Sequence, residues 1–436
     1  MSNCFLATFQ AEITCPIGHP LMGGGVAPAA RIEDPLFAQG VVILGAGEPI
    51  VMVSVDWCEI RNDAYDRWKS SIAVAAHTTP ERVLLSCIHQ HDTPIADLMA
   101  QQILEENHCV GSICDLKFHE TTLQRVSRAV RSGLATPRRI TQLGTGQSKV
   151  NQVASNRRVV DDAGKILSFG RTSATNDERL RNGPEGTIDP WLKTLSFWDG
   201  DIPVVALHFY ATHPMSYYGK GGVSSDFIGL ARKRRSADDP AIPQIYFSGC
   251  SGNVTAGKYN DGNPDNRAVL ADRIYHAMKD AWRDTTKHLF DLPRFHEVAM
   301  RLEPRDDPGF TVPDLTHRLK NDARPFGQCL AALGLSWRKR ADQGHTIAVP
   351  AIDFGPADFL LLPGESYVEF QLAAQQELPN QFVTVAGYGE CATGYIPTEK
   401  AFEEGDTNLG DWCWVARGSE ARMREAIHQA LTRRNP

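Results

Sequence analysis

The chain has 436 residues, 42% hydrophobic and 22% charged, with a formal net charge of −7. That is globular composition, long enough for one large domain or two ordinary ones, and the acidic balance leaves no footprint for nucleic acid. No apolar run approaches the length needed to span a bilayer, which argues against a membrane anchor.

The sequence opens MSNCFLATFQAEITCPIGHP, with no basic segment leading into a long apolar one, so no secretory leader is expected. Ten cysteines are scattered without paired spacing, several inside apolar runs, which predicts reduced, buried thiols and a cytoplasmic location. Residues 12–14 read as a short edge strand. Gly23, Gly24 and Gly25 form a loop, since a glycine triplet breaks helices and strands alike. Residues 35–56 read as a hairpin turning at 45–48, and Asp56 ends its second strand as a candidate functional carboxylate. Residues 61–76 are amphipathic and helical. The apolar run 83–88 is a buried strand, and at its exit stand His89, His91 and Asp92. Side chains two apart in an extended segment share a side, so this strand end presents two imidazoles together. Helices over 96–102 and 116–134 complete a strand–helix alternation that argues for α/β layering.

Short strands are expected over 141–153 and 166–170, with Arg157 and Arg158 in the polar loop between them. Residues 192–213 alternate as a hairpin that delivers His213 at its exit. A basic helix follows over 228–236. Residues 243–258, PQIYFSGCSGNVTAGK, run from a strand into a small-residue loop of the kind that lets backbone amides approach a ligand. Helical spacing recurs over 265–282. Residues 295–301 are a strand, and the charged stretch 306–343 reads as helical and outside the core. Strands over 346–352 and 357–362 follow, the second ending in Pro363, Gly364 and Glu365. A helix over 367–377, a last strand over 381–387 and a closing helix over 419–432 end the pattern.

Three strand exits therefore carry His89 and His91, His213, and Glu365. Two histidines and a carboxylate leave a tetrahedral metal one open position, the arrangement of catalytic zinc. The expected fold class is α/β, a layered sandwich of mixed β-sheets flanked by helices, with the metal site at the C-terminal ends of strands. With no linker and no repeat, residues 1–436 read as a single domain.

Five motifs in order resemble the neutral/alkaline (non-lysosomal) ceramidases, in their N-terminal catalytic domain. IHQHDTP is similar to that family's THTHSGP; ALHFYATHPMSYYG with the later SSDF, to NWFAVHGTSM and SGDN; LLPGESY, to IPGEF. FSGCSGNVTAG stands where the family has SNVGDVSPN, and YGECATGYIPTEKAFEEG parallels its NAYxxYVTTPEEYE segment. The resemblance implies His89, His213 and Glu365 as ligands of a Zn2+ ion. It implies His91 beside the metal, Arg157 near the substrate, and Tyr395 as the family's tyrosine. Its catalytic serine falls on Thr255 and the preceding aspartate on Asn253. Its metal-bound tyrosine falls on Ala392, so the fourth ligand is open between Glu390, Cys391 and water. The reading is a zinc-dependent hydrolase attacking an amide or related carbonyl of a soluble small molecule. The alternatives are a lactone, ester or sugar-linked-group hydrolase on the same site, or a non-catalytic binding protein.

Overall fold

The computed structural model describes residues 4–432. Three larger sheets follow one another along the chain. The first contains β1 (Cys4–Glu12), β2 (Phe37–Leu44), β3 (Ile50–Val55), β4 (Val83–Cys87) and β5 (Arg138–Ile140), in the order β4-β3-β2-β1-β5. Helices α1 (Asn62–Ala76), α2 (Leu98–Glu106) and α3 (Leu116–Gly133) belong to the same stretch. The second sheet contains β6 (Gln142–Lys149), β7 (Trp191–Asp199), β8 (Ile202–Tyr210), β9 (Gln244–Ser248) and β10 (Thr286–Leu289), ordered β9-β8-β7-β6-β10, with α4 (Asp226–Asp238) and α5 (Asn266–Arg283). The third is β11 (Arg294–Met300), β12 (Ile347–Asp353), β13 (Ala357–Leu361) and β14 (Phe382–Ala386) in chain order, with α6 (Val312–Asn321), α7 (Pro325–Asp342), α8 (Val368–Glu377) and α9 (Ser419–Thr432).

Each sheet is antiparallel except at one edge. There β3 pairs parallel with β4, β8 with β9, and β13 with β14. A parallel pair needs a crossover, and α1, α4 and α8 supply the three. Period-two alternation divides each strand between two faces. Along β3, Ile50 and Met52 enter a central core shared by all three sheets, while Val51, Val53 and Val55 pack under α1 and α3. Phe209 and Phe247 of the second sheet meet Phe359 of the third in that same core. Ile274 and Met278 of α5 cover the outer face of the second sheet, and Trp337 and Leu333 of α7 that of the third. The architecture is thus mixed α/β, with sheets inside and helices outside, as the sequence predicts.

The parallel edges meet one another. Ser54 Oγ donates to the Tyr246 carbonyl at 2.5 Å, Ser248 Oγ to the Ile88 carbonyl at 2.8 Å, and the Gly387 amide to the Ser248 carbonyl at 2.8 Å. Their C-terminal exits therefore converge on one place, which is where ligands bind in parallel sheets.

Three expectations are corrected. The N-terminal strand is nine residues long and lies inside its sheet, between β2 and β5, rather than being a short edge over 12–14. Helix α7 is a core helix: Cys329, Leu330, Leu333 and Trp337 are buried, and only its last turn carries the charges that made the stretch look peripheral. Asp56 is structural. It receives Arg232 through both guanidinium nitrogens, at 2.9 and 2.5 Å, and the Phe37 amide at 2.8 Å, which leaves it no free role.

Candidate metal centre

His89 follows β4 by two residues and sits at φ +74°, a left-handed conformation that is rare for a β-carbon-bearing residue. Such strain persists only where the surroundings fix it. Here the His89 amide donates to the Trp57 carbonyl at 3.0 Å, and the ring stacks on Tyr388 with centroids 4.4 Å apart. Tyr388 is itself at φ +55° and fully buried. His213 leaves β8, and its amide donates to the Val254 carbonyl at 2.9 Å. Glu365 is placed by the Pro363–Gly364 turn and a short parallel pairing of Glu365 with Tyr395. Gly364 lies at φ +55°, and a β-carbon there would stand 2.4 Å from Thr393 Oγ1 and 2.6 Å from the Gly394 carbonyl, so the turn demands glycine.

The ring hydrogen bonds set the tautomers. His89 Nδ1 donates to the Cys58 carbonyl at 3.0 Å, and His213 Nδ1 to the Ser251 carbonyl at 2.5 Å. With Nδ1 engaged in each ring, both Nε2 atoms point at one oxygen: His89 Nε2 lies 3.3 Å and His213 Nε2 3.0 Å from Glu365 Oε2. A backbone carbonyl on the far nitrogen is the usual way a metal-ligating imidazole is held. Two ligand atoms about 2.0–2.1 Å from a tetrahedral zinc stand about 3.3 Å apart, which the observed spacings match within a few tenths of an ångström. Burial and the neighbouring Arg157 guanidinium push His213 down to about 4, and burial with His89 and His213 pushes His91 well below the usual imidazole range. His213 and His91 are therefore neutral, whereas burial is outweighed at His89 by Glu365 and Glu59, which raise it. Burial would raise Glu365, but His89 and His213 hold it well below the ordinary carboxylate range. The donor set fits a divalent ion of the zinc class.

The sequence-predicted residues are mostly brought together here. His91 stands edge-on to His89, centroids 5.2 Å apart, and its Nδ1 has no hydrogen-bond partner among the described residues. Arg157 is buried, not a solvated loop arginine. It donates through Nη1 to Tyr395 Oη at 2.7 Å, and its Nη2 lies 3.2 Å from His213 Nε2. His89, His91, Arg157, Tyr395 and Glu365 line a cavity of about 390 Å³.

Thr255 is the exception. Its hydroxyl is fully buried outside that cavity and donates to the carbonyls of Arg171 at 2.9 Å and Thr172 at 2.7 Å. The loop over 249–258 owes its small residues to protein rather than ligand. A β-carbon at Gly252 would stand 2.1 Å from the Glu365 carbonyl oxygen. Thr255→Val is therefore expected to leave turnover unchanged and to lower stability by about 1–3 kcal/mol, because two buried carbonyls lose their donor. Steady-state kinetics and a denaturant melt check this; a large loss of kcat at unchanged stability contradicts it.

The fourth-ligand candidates also go elsewhere. Glu390 Oε2 pairs with His345 Nε2 at 2.9 Å, and Cys391 Sγ with the Gly389 carbonyl at 3.3 Å. Cys58 Sγ comes within 3.7 Å of His89 Nδ1, but burial pushes that thiol well up and the ring nitrogen already serves the Cys58 carbonyl. Neither Glu390 nor Cys391 lines the cavity. Sequence reasoning missed Tyr388, whose hydroxyl also meets Ser251 Oγ at 2.7 Å, and Glu59, a second carboxylate lining the cavity. The signal for Tyr388 is an aromatic residue between two glycines; Glu59, four residues beyond a strand, carries none.

No protein-family model and no curated protein matches the chain. Solved structures do. A ceramidase in complex with C2 superposes with a TM-score of 0.70 at 16% identity, covering 99% of this chain and 75% of that one. The neutral ceramidase from Pseudomonas aeruginosa superposes with a TM-score of 0.69 at 16% identity, covering 99% and 74%. The chain has a ceramidase-like fold.

Proposed function

We propose that this chain is a zinc-dependent hydrolase that cleaves an amide or related carbonyl bond of a small, water-soluble substrate, on one catalytic domain. The observation that carries the reading is the pair of imidazoles, each fixed through Nδ1 and aimed through Nε2 at Glu365. The two ceramidases of like fold support amide hydrolysis in particular. A zinc ion held by His89, His213 and Glu365 supplies Lewis acidity and a water of lowered pKa.

The remaining work falls to the chain's own side chains. Burial lowers the Arg157 guanidinium's hold on its proton, but Tyr395 and Glu365 more than restore it, so it stays charged. With Tyr395 it forms a fixed pair of donors against the carbonyl oxygen, where charge develops during attack. His91 is neutral and lines the cavity, so it can take a proton from the attacking water and return it to the leaving amine. A cavity of about 390 Å³ suits a small molecule better than an acyl chain on a sphingoid base. No helix among the described residues is long and apolar enough to cross a membrane. Ten free cysteines support a reducing, cytoplasmic setting.

The test is hydrolysis of small acylamides and lactones beside detergent-dispersed ceramide. Turnover of small amides, abolished by chelation and restored by zinc, is expected. Cleavage of ceramide alone contradicts the substrate class, and turnover indifferent to chelation contradicts the metal.

A further inference from the structure

Glu59 belongs to the cavity but has no part in the chemistry described above. It follows β3 by four residues and is 1% exposed. Its Oε2 accepts from Arg61 Nη1 at 2.7 Å. Arg61 is fully buried, donates through Nη2 to the Ala392 carbonyl at 2.8 Å, and lies over the Trp414 ring at 4.7 Å. The carboxylate is thus locked on one side. Its other oxygen, Oε1, receives no hydrogen bond among the described residues, and the side chain lines the cavity.

A carboxylate oxygen on the wall of a cavity is an acceptor for whatever donor enters it. His89 is not that donor: its Nδ1 is 3.9 Å from Oε1, and its proton goes to the Cys58 carbonyl at 3.0 Å. Glu59 is therefore not the carboxylate that orients the metal ligand. Two more features of the same cavity bear on what the donor is. Trp412 offers a half-buried indole, and Asp411, whose Oδ1 accepts from Arg318 Nη1 at 2.6 Å, a second carboxylate at the exposed mouth. Carboxylates that accept from hydroxyls, beside an aromatic face that covers C–H groups, recognise hydroxylated rings.

We infer that Glu59 is a specificity-determining residue that accepts hydrogen bonds from substrate hydroxyls, so that the substrate is a polyhydroxylated, sugar-like amide. This deepens the hydrolase reading and rests on it for the position of the amide. An acyl chain or plain hydrocarbon in the same place would leave Oε1 without a donor.

The experiment uses the zinc-loaded full chain and two amides with a six-membered ring bearing an acetamide. N-acetylglucosamine carries hydroxyls, and N-cyclohexylacetamide carries none. Binding is measured by calorimetry and turnover as kcat/KM. The wild type is expected to prefer the hydroxylated amide by about tenfold to a hundredfold in Kd. Glu59→Gln, nearly isosteric, is expected to cut that preference by about tenfold or more while zinc content stays at the wild-type level. Equal binding of the two amides to the wild type overturns the proposal, as does a preference that survives in Glu59→Gln. Should the variant not fold, the wild-type ratio alone decides. Hydroxyl-dependent binding without turnover of either amide would overturn the hydrolase reading and leave the specificity intact.

Discussion

Glu365→Gln is expected to empty the metal centre. The substitution preserves shape and removes only the charge, so the cavity and the two histidines stay where they are. Glu365 Oε2 is the single atom that both Nε2 nitrogens face, at 3.3 and 3.0 Å. A neutral amide is a poor ligand for zinc, and two imidazoles alone leave the site short of the three protein ligands of a catalytic centre. Groups that merely orient a ligand already cost about 10–100-fold in metal affinity, so a direct ligand costs more than about a hundredfold. Elemental analysis after dialysis is expected to fall from about one equivalent toward zero, with hydrolysis reduced about a thousandfold or more. Wild-type zinc content in this variant would remove Glu365 from the ligand set.

Arg157→Met is expected to separate catalysis from metal binding. The guanidinium contacts Tyr395 Oη at 2.7 Å and Asn408 Oδ1 at 3.3 Å, and reaches His213 Nε2 at 3.2 Å. It is a fixed positive charge beside the position a divalent cation takes, so it opposes the metal and favours a developing oxyanion. Its removal should leave zinc bound at least as tightly while kcat falls about a hundredfold to a thousandfold, the effect of deleting one preorganised donor. Lysine should not restore the rate, because a point charge cannot bridge Tyr395 and the substrate together as the planar fork does. A loss of zinc parallel to the loss of rate would make Arg157 structural.

The parts of the molecule that were legible in the sequence are those governed by local pattern. The alternating run over β7 and β8 fixes a hairpin whose exit must present His213, and the apolar run of β4 does the same for His89. Glu365 was legible because a Pro-Gly turn leaves few ways out of a buried strand. Fold class followed, since strands alternating with amphipathic helices have few packings. The illegible parts depend on which distant segments approach. Thr255 looked free to act because nothing in its own neighbourhood claims its hydroxyl. The carbonyls that do claim it belong to Arg171 and Thr172, more than eighty residues earlier. Arg157 reads as part of a polar loop for the same reason, and it is Tyr395 and His213, from distant segments, that enclose it. Asp56 meets Arg232 of α4, which lies far along the chain. Glu59 was invisible because a lone acid carries no spacing signal, and its partner Arg61 reads as the first residue of a helix.

The central claim is that one metal ion sits among His89, His213 and Glu365. Anomalous diffraction from crystals of the zinc-loaded protein, collected on either side of the zinc absorption edge, tests it most directly. A single strong peak is predicted within bonding distance of His89 Nε2, His213 Nε2 and a Glu365 carboxylate oxygen, about 2.0–2.2 Å from each. An empty cavity, or a peak bonded to Cys58 and His91 in place of His213 and Glu365, would contradict it.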